Sequence, residues 1–366
     1  MPVGPFPRLL LGSSALAQLS AELALVGVTR PLLVSDRGLE RAGATAAVLA
    51  IAPMPAFLDV PENPTVAGAD AAFAAYRNGG CDGVVALGGG SVLDTAKFVA
   101  VLAAGRVNGA AALLGRPDLI GAAVAPLVAV PTTVGTGSES SPVSALHTVP
   151  GGPVVGTRGP AMVARVAICD PDLARTLPKH LVAATGIDAL SHCVEGFFAE
   201  PANLIVDALA LDGAARAMRA LPAALAGNGG ALKELMAAAY AGGCAIHKGL
   251  GPAHAVALAC ADQDVHHGTL IAVALPVTVA VVAAHAPAAA ARLADALGLA
   301  DGNALAPALR DLAAAAGLPA TLRAAGYRVT DAEALVAAMT ASHFNRTSPH
   351  APDAAGYLRI LERIAG

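Results

Sequence analysis

Gly83-Val84-Val85-Ala86-Leu87-Gly88-Gly89-Gly90-Ser91-Val92-Leu93-Asp94-Thr95-Ala96-Lys97 is the stretch whose reading decides the fold class. The run Gly83 to Leu87 reads as a strand, the glycines and Ser91 as a turn, and the residues that follow as the opening of a helix. A strand, a glycine turn and a helix in succession form the repeating unit of a parallel sheet. Three glycines let backbone amides approach an anion, a helix N-terminus supplies partial positive charge, and Ser91 can donate a hydroxyl. The turn therefore suits a phosphate. Taken alone, GGGS also fits a tight βα turn that holds no ligand.

Working outward, Pro31 to Ser35 (PLLVS), Leu127 to Val130 (LVAV) and Val166 to Cys169 read as further strands. Two of them end in polar turns, Asp36-Arg37-Gly38 and Pro131-Thr132-Thr133, the second continuing as Val134-Gly135-Thr136-Gly137-Ser138-Glu139. Ligands of open parallel sheets bind at the carboxyl ends of strands, so the turns after Ser35, Leu87 and Val130 are expected to converge on one site. Neither glycine-rich turn is GxGxxG or GxxxxGK[ST], so the usual Rossmann and P-loop fingerprints are absent. After about Pro178 the strand signal fades and Ala- and Leu-rich helical spacing continues, broken at Gly227 to Gly230, Gly249 to Pro252 and Gly317 to Pro319. The expected fold is α/β followed by all-α. A Rossmann-like parallel-sheet domain that binds a dinucleotide covers 1–180, and an all-helical domain covers 181–366.

The 366 residues are 55% hydrophobic and 14% charged, with a formal net charge of -4. That composition excludes a disordered or collagen-like chain, and near-neutral charge gives no electrostatic case for nucleic acid or an anionic membrane. The five cysteines are odd in number and lack CxxC spacing, so reduced thiols in the cytoplasm are expected. Gly268 to Ala291 has no charged Lys, Arg, Asp or Glu, but Pro276, His285 and Pro287 interrupt it, which favours a buried helix pair over a membrane span. Met1 to Gly27 lacks a basic cluster before its apolar patch and is read as part of the fold.

Asp188 and His192 stand four residues apart, a spacing that stacks both on one helix face as a shared metal ion requires. A capping aspartate beside an unrelated buried histidine is the alternative. His254, His266 and His267 supply further imidazoles downstream. One carboxylate and three imidazoles can hold Fe²⁺, Zn²⁺, Mn²⁺ or Ni²⁺ with positions left open for a substrate oxygen.

At this point the chain resembles the iron-dependent, group III alcohol dehydrogenases. The resemblance runs from Phe6-Pro7-Arg8-Leu9-Leu10-Leu11-Gly12 through GGGSVLDTAK and PTTVGTGSE to Ala167-Ile168-Cys169-Asp170-Pro171, Gly186 to Glu195 and His267-Gly268. It implies NAD(P) in the first domain, a metal in the second, and reversible oxidation of an alcohol to an aldehyde or ketone. By position it implies Asp188, His192, His254 and His267 as metal ligands, with His266 as alternative to His267, and Fe²⁺ favoured over Zn²⁺. Gly89, Gly90, Ser91 and Asp94 match the pyrophosphate turn, and Thr132, Thr133 and Thr136 the second cofactor loop. Asp36 stands where a carboxylate favours NAD over NADP, since it would repel a 2′-phosphate. Maleylacetate reductases lack the carboxylate at the position of Asp188 and glycerol dehydrogenases the histidine at that of His192, which points to the alcohol dehydrogenase branch.

Several positions depart from the family pattern. Leu258 stands where a histidine usually follows the third ligand by one turn, so no general base is assigned. His267 follows His254 by 13 positions, one fewer than expected, and Val154 stands where a lysine is common. The Asn-Pro-Arg element near the C-terminus reads Asn345-Arg346-Thr347-Ser348-Pro349. The expected partners are a small alcohol or aldehyde and further copies of the chain, as in a dimer. The alternatives are an NAD-using lyase of the dehydroquinate synthase type and a catalytically degenerate binding protein.

Overall fold

The protein is described here by a computed structural model, which describes residues 3–366. Two compact units emerge. One consists of Gly4–Thr133 and Gly137–Leu177, the other chiefly of Pro178–Gly366 with the short segment Val134–Thr136.

The first unit is built on a six-stranded sheet in the order β1-β8-β5-β4-β2-β3, parallel throughout. Its strands are β1 (Arg8–Leu11), β2 (Pro31–Val34), β3 (Ala56–Phe57), β4 (Gly83–Gly88), β5 (Leu127–Pro131) and β8 (Val166–Cys169). Side chains alternate across a strand, so one apolar run feeds two cores. Leu33, Val85, Leu87, Val128, Val130 and Ile168 pack on one face against Leu16, Leu19 and Leu23. Leu32, Val34, Val84, Ala86, Leu127 and Ala129 pack on the other against Ala72, Val92, Leu93 and Val99. The helices of this unit are α1 (Leu19–Leu25), α2 (Arg37–Arg41), α3 (Ala44–Ile51), α4 (Val66–Asn78) and α5 (Gly90–Leu102).

The chain runs outward from β2 to β3, then returns past β2 to β4 and on to β5. The winding therefore reverses between β2 and β4, which makes the ends of these two strands the natural ligand position. Asp36 follows β2, and Gly88 to Ser91 close β4 and open α5.

The edge strands β1 and β3 and the antiparallel pair β6 (Val143–His147) and β7 (Val154–Arg158) went unread in the sequence. β3 is two residues long, and β6 alternates half-buried and buried positions, too short a pattern to stand out.

The second unit is helical: α6 (Lys179–Phe198), α7 (Leu204–Leu225), α8 (Gly229–Ala245), α9 (Pro252–Ala259), α10 (His267–His285), α11 (Pro287–Ala296), α12 (Leu305–Ala315), α13 (Ala332–Ala341) and α14 (Ala354–Ala365). α10 is long and apolar enough to cross a membrane, but 61% of its apolar window is buried inside the protein, where it packs on α6, α9 and α12. Pro287 does begin a new helix, whereas Pro276, expected as an interruption, lies inside α10.

Candidate metal centre

α6 is buried along nearly its whole length, and the four-residue spacing predicted for Asp188 and His192 is realised there. α9 brings His254 alongside; the His192 and His254 rings stack with centroids 4.9 Å apart. The start of α10 adds His267, because a close approach seats that helix on α6: a Cβ at Gly268 would lie 2.2 Å from the Ala184 carbonyl oxygen.

The nitrogens meet at one oxygen. Asp188 Oδ1 lies 3.7 Å from His192 Nε2, 3.9 Å from His254 Nε2 and 3.6 Å from His267 Nε2. Asp188, His192 and His254 are buried, and their ligand atoms lie within 4.8 Å of one another. His267 is the open member, with its side chain 46% exposed. His266 goes elsewhere: its Nδ1 accepts from Gly268 N at 3.2 Å and caps α10.

Burial sets the electrostatics. The Asp188 carboxyl is pushed up to about 6 by burial, partly offset by His267 and His266. Burial pushes His192 down to about 4 and His254 well below the ordinary imidazole range, the latter helped by neighbouring His192 and His343. Among the described residues, Asp188 Oδ1 and His254 Nε2 have no hydrogen-bond partner. Orphaned buried polar atoms are costly, and three imidazole nitrogens at 3.6 to 3.9 Å from one carboxylate oxygen are too far to hydrogen-bond it directly. A divalent cation satisfies all of these donors at once, so the residues present fit a metal.

A residue passed over in the sequence stands behind the cluster. Glu195, i+7 from Asp188 on α6, accepts at 2.5 Å from His254 Nδ1 and at 2.7 Å from Ala253 N. The signal was present, since Glu195 closes the Gly186 to Glu195 run, but its partner is 59 residues away.

In the sheet unit, Gly89 caps α5 and Gly90 begins it. A Cβ at Gly89 would lie 3.0 Å from Thr133 Cγ2, so the first turn sits against the second. Thr133 Oγ1 is buried without a partner among the described residues, while Thr132 is buried with its N donating to Gly88 O at 3.1 Å. Ser91 Oγ donates to Glu62 O. Asp94 is held internally, accepting from Ser138 Oγ at 2.6 Å and Ala145 N at 2.8 Å. Thr136 falls in the helical unit. Asp36 lies just beyond β2, where its Oδ1 caps α2 by accepting from Leu39 N at 2.9 Å. Adjacent Arg37 pairs with Asp59 at 2.8 Å and Glu40 at 3.0 Å.

Comparison with known proteins agrees on the family. Residues 7–171 match the family described as iron-containing alcohol dehydrogenase, and residues 182–365 match the C-terminal domain of the same family. A 4-hydroxybutyrate dehydrogenase from Cupriavidus necator is 37% identical over 371 residues, covering 96% of this chain and 97% of that protein. The structure of a 1,3-propanediol oxidoreductase superposes with a TM-score of 0.90 at 27% identity over 100% of both chains. A sulfoacetaldehyde reductase from Bifidobacterium kashiwanohense in complex with NAD+ shares the fold, with a TM-score of 0.93 at 23% identity over 100% of this chain and 98% of that one. The chain belongs to the iron-containing alcohol dehydrogenase family.

Proposed function

We propose that this metal-dependent, NAD-linked oxidoreductase interconverts a primary alcohol bearing a distant carboxylate with the corresponding aldehyde. The observation that carries the reading is the buried, unpartnered Asp188 oxygen ringed by three imidazole nitrogens at 3.6 to 3.9 Å. Asp188, His192, His254 and His267 would hold the cation, with iron favoured and zinc the alternative. When bound, the cation supplies Lewis acidity to the substrate oxygen and NAD supplies the hydride acceptor. The chain's own part is to keep His192 and His254 neutral by burial, so that both offer lone pairs at pH 7. Leu258, one turn after His254, carries no titratable group, and no side chain is assigned as general base.

The carboxylate is argued from the 3-10 turn His343–Arg346. Phe344 places this turn against the cluster, its ring centroid 5.5 Å from that of His254. Asn345 anchors it by donating to Met339 O at 2.9 Å and accepting from Tyr357 OH at 2.5 Å. Thr347 anchors the far side by donating to Leu250 O at 3.2 Å. Between these anchors Arg346 is exposed, with no hydrogen bond or ion pair among the described residues. Residues i and i+3 of a 3-10 helix eclipse, which puts Arg346 on the same side as His343. The relative's name, 4-hydroxybutyrate dehydrogenase, supports an acidic substrate. Arg346→Ala is expected to raise KM about tenfold for 4-hydroxybutyrate and leave 1-butanol unchanged. Equal effects on both would remove the carboxylate from the proposal.

NAD is favoured over NADP because Asp36 repels a 2′-phosphate while Arg37 is already committed to Asp59 and Glu40. Asp36→Ser is expected to raise the NADP-to-NAD ratio of kcat/KM by roughly tenfold or more. An unchanged ratio would place the discrimination elsewhere. A cytoplasmic homo-oligomer, such as a dimer, belongs to the same proposal; the five free cysteines support the compartment, and light scattering tests the assembly. The activity itself is tested by elemental analysis of protein purified without chelator, together with NADH absorbance during alcohol oxidation. Protein without bound metal and without turnover would overturn it.

A further inference from the structure

Glu195 is a buried carboxylate to which the chemistry above gives no work. It lies on the same face of α6 as Asp188 and His192, because positions i, i+4 and i+7 stack. Its two oxygens are both used as acceptors. Oε1 takes Ala253 N at 2.7 Å, and Oε2 takes His254 N at 3.4 Å and His254 Nδ1 at 2.5 Å. On its far side Phe198, Leu250, Pro252 and Val279 line a space of about 10 Å³, at the lower limit for one water. Glu195 is 5% exposed, so little water competes for these lone pairs.

An imidazole held neutral carries one ring proton, and a carboxylate can only accept. The proton of His254 thus sits on Nδ1, and the lone pair sits on Nε2, the atom 3.9 Å from Asp188 Oδ1. The same carboxylate takes the first free N–H groups of α9, so ring orientation and helix position are set by one group. With a divalent cation bound, ionised Asp188 and Glu195 would together balance a charge that neutral imidazoles cannot.

We infer that Glu195 is a positioning residue of the metal centre, fixing the tautomer and direction of His254 so that its Nε2 faces the cation. The inference rests on the metal reading above. Glutamine has nearly the same shape and can still cap α9 through its carbonyl, but its amide cannot also accept from Nδ1. A purely structural role would therefore leave Glu195→Gln close to normal in metal binding.

The test uses the full chain stripped of metal and titrated with Co²⁺ at pH 7.5, following the visible absorption bands and the dissociation constant. Glu195→Gln is expected to bind Co²⁺ about tenfold to a hundredfold more weakly, with altered bands, while the urea unfolding midpoint of the metal-free protein moves little. Should that variant fail to fold, Glu195→Asp, which keeps the charge and shortens its reach, is expected to bind Co²⁺ several-fold more weakly than the parent, with altered bands. Parent-like affinity and bands in whichever variant folds would overturn the positioning role. Failure of the parent chain itself to bind Co²⁺ would instead overturn the metal reading.

Discussion

Asp188→Asn should abolish turnover and yet make the metal-free protein more stable. Loss of the only carboxylate among the four proposed ligands removes the anion that draws a cation into a ring of neutral imidazoles. Metal contributes several kcal/mol to oxidation of an alcohol, so kcat/KM should fall by roughly a thousandfold or more. Stability moves the other way because burial raises the Asp188 carboxyl to about 6. The folded chain then keeps this proton where the unfolded chain releases it, between about pH 4 and 6. Stability is fully present below that window and lost as pH rises through it, by about 3 kcal/mol at pH 8. Asparagine keeps the volume without the charge. Metal-free Asp188→Asn should therefore match the parent at pH 4 and exceed it by roughly 1 to 3 kcal/mol at pH 8 in urea unfolding. Equal pH slopes for the two proteins would show that Asp188 ionises freely and carries no stored cost.

Lys248→Ala should cost the helical unit about 3 to 5 kcal/mol. Lys248 is 1% exposed, and its Nζ donates to Phe197 O at 3.1 Å and to Asp207 Oδ1. It thereby ties the segment between α8 and α9 to the end of α6 and the start of α7. Removing the ammonium leaves Asp207 buried as an uncompensated anion, which is what makes the single substitution severe. The double change Lys248→Met with Asp207→Leu removes both charges and should recover most of the loss. Because α9 carries His254 and follows this segment directly, Lys248→Ala should also weaken Co²⁺ binding. A loss under about 1 kcal/mol in chemical unfolding would mean that water reaches Asp207 and that the pair is not isolated.

Much of the fold could be read before any coordinates because it depends on local pattern. Apolar runs such as Val84 to Leu87 and Val128 to Val130 must be buried, and glycine turns must follow them where helices begin. Both strand and turn lie within a few residues of each other. The same holds for Asp188 and His192, whose shared face is a property of helix geometry alone. Short edge strands and the β6–β7 pair escaped because two to five residues carry too little periodicity, and their pairing is decided by partners elsewhere in the chain.

The sequence by itself determined the architecture, the family and the chemical types gathered at the candidate site. Only the tertiary structure decided which neighbouring histidine turns toward Asp188: His267 reaches it at 3.6 Å, while His266 caps α10. The tertiary structure alone also revealed that Arg37 is occupied by Asp59 and Glu40, and that Glu195 grips His254 across 59 residues. The physical reason is range. Hydrogen bonds and ion pairs are set within a few ångströms of space, and chain order specifies that distance only inside a single helix, strand or turn.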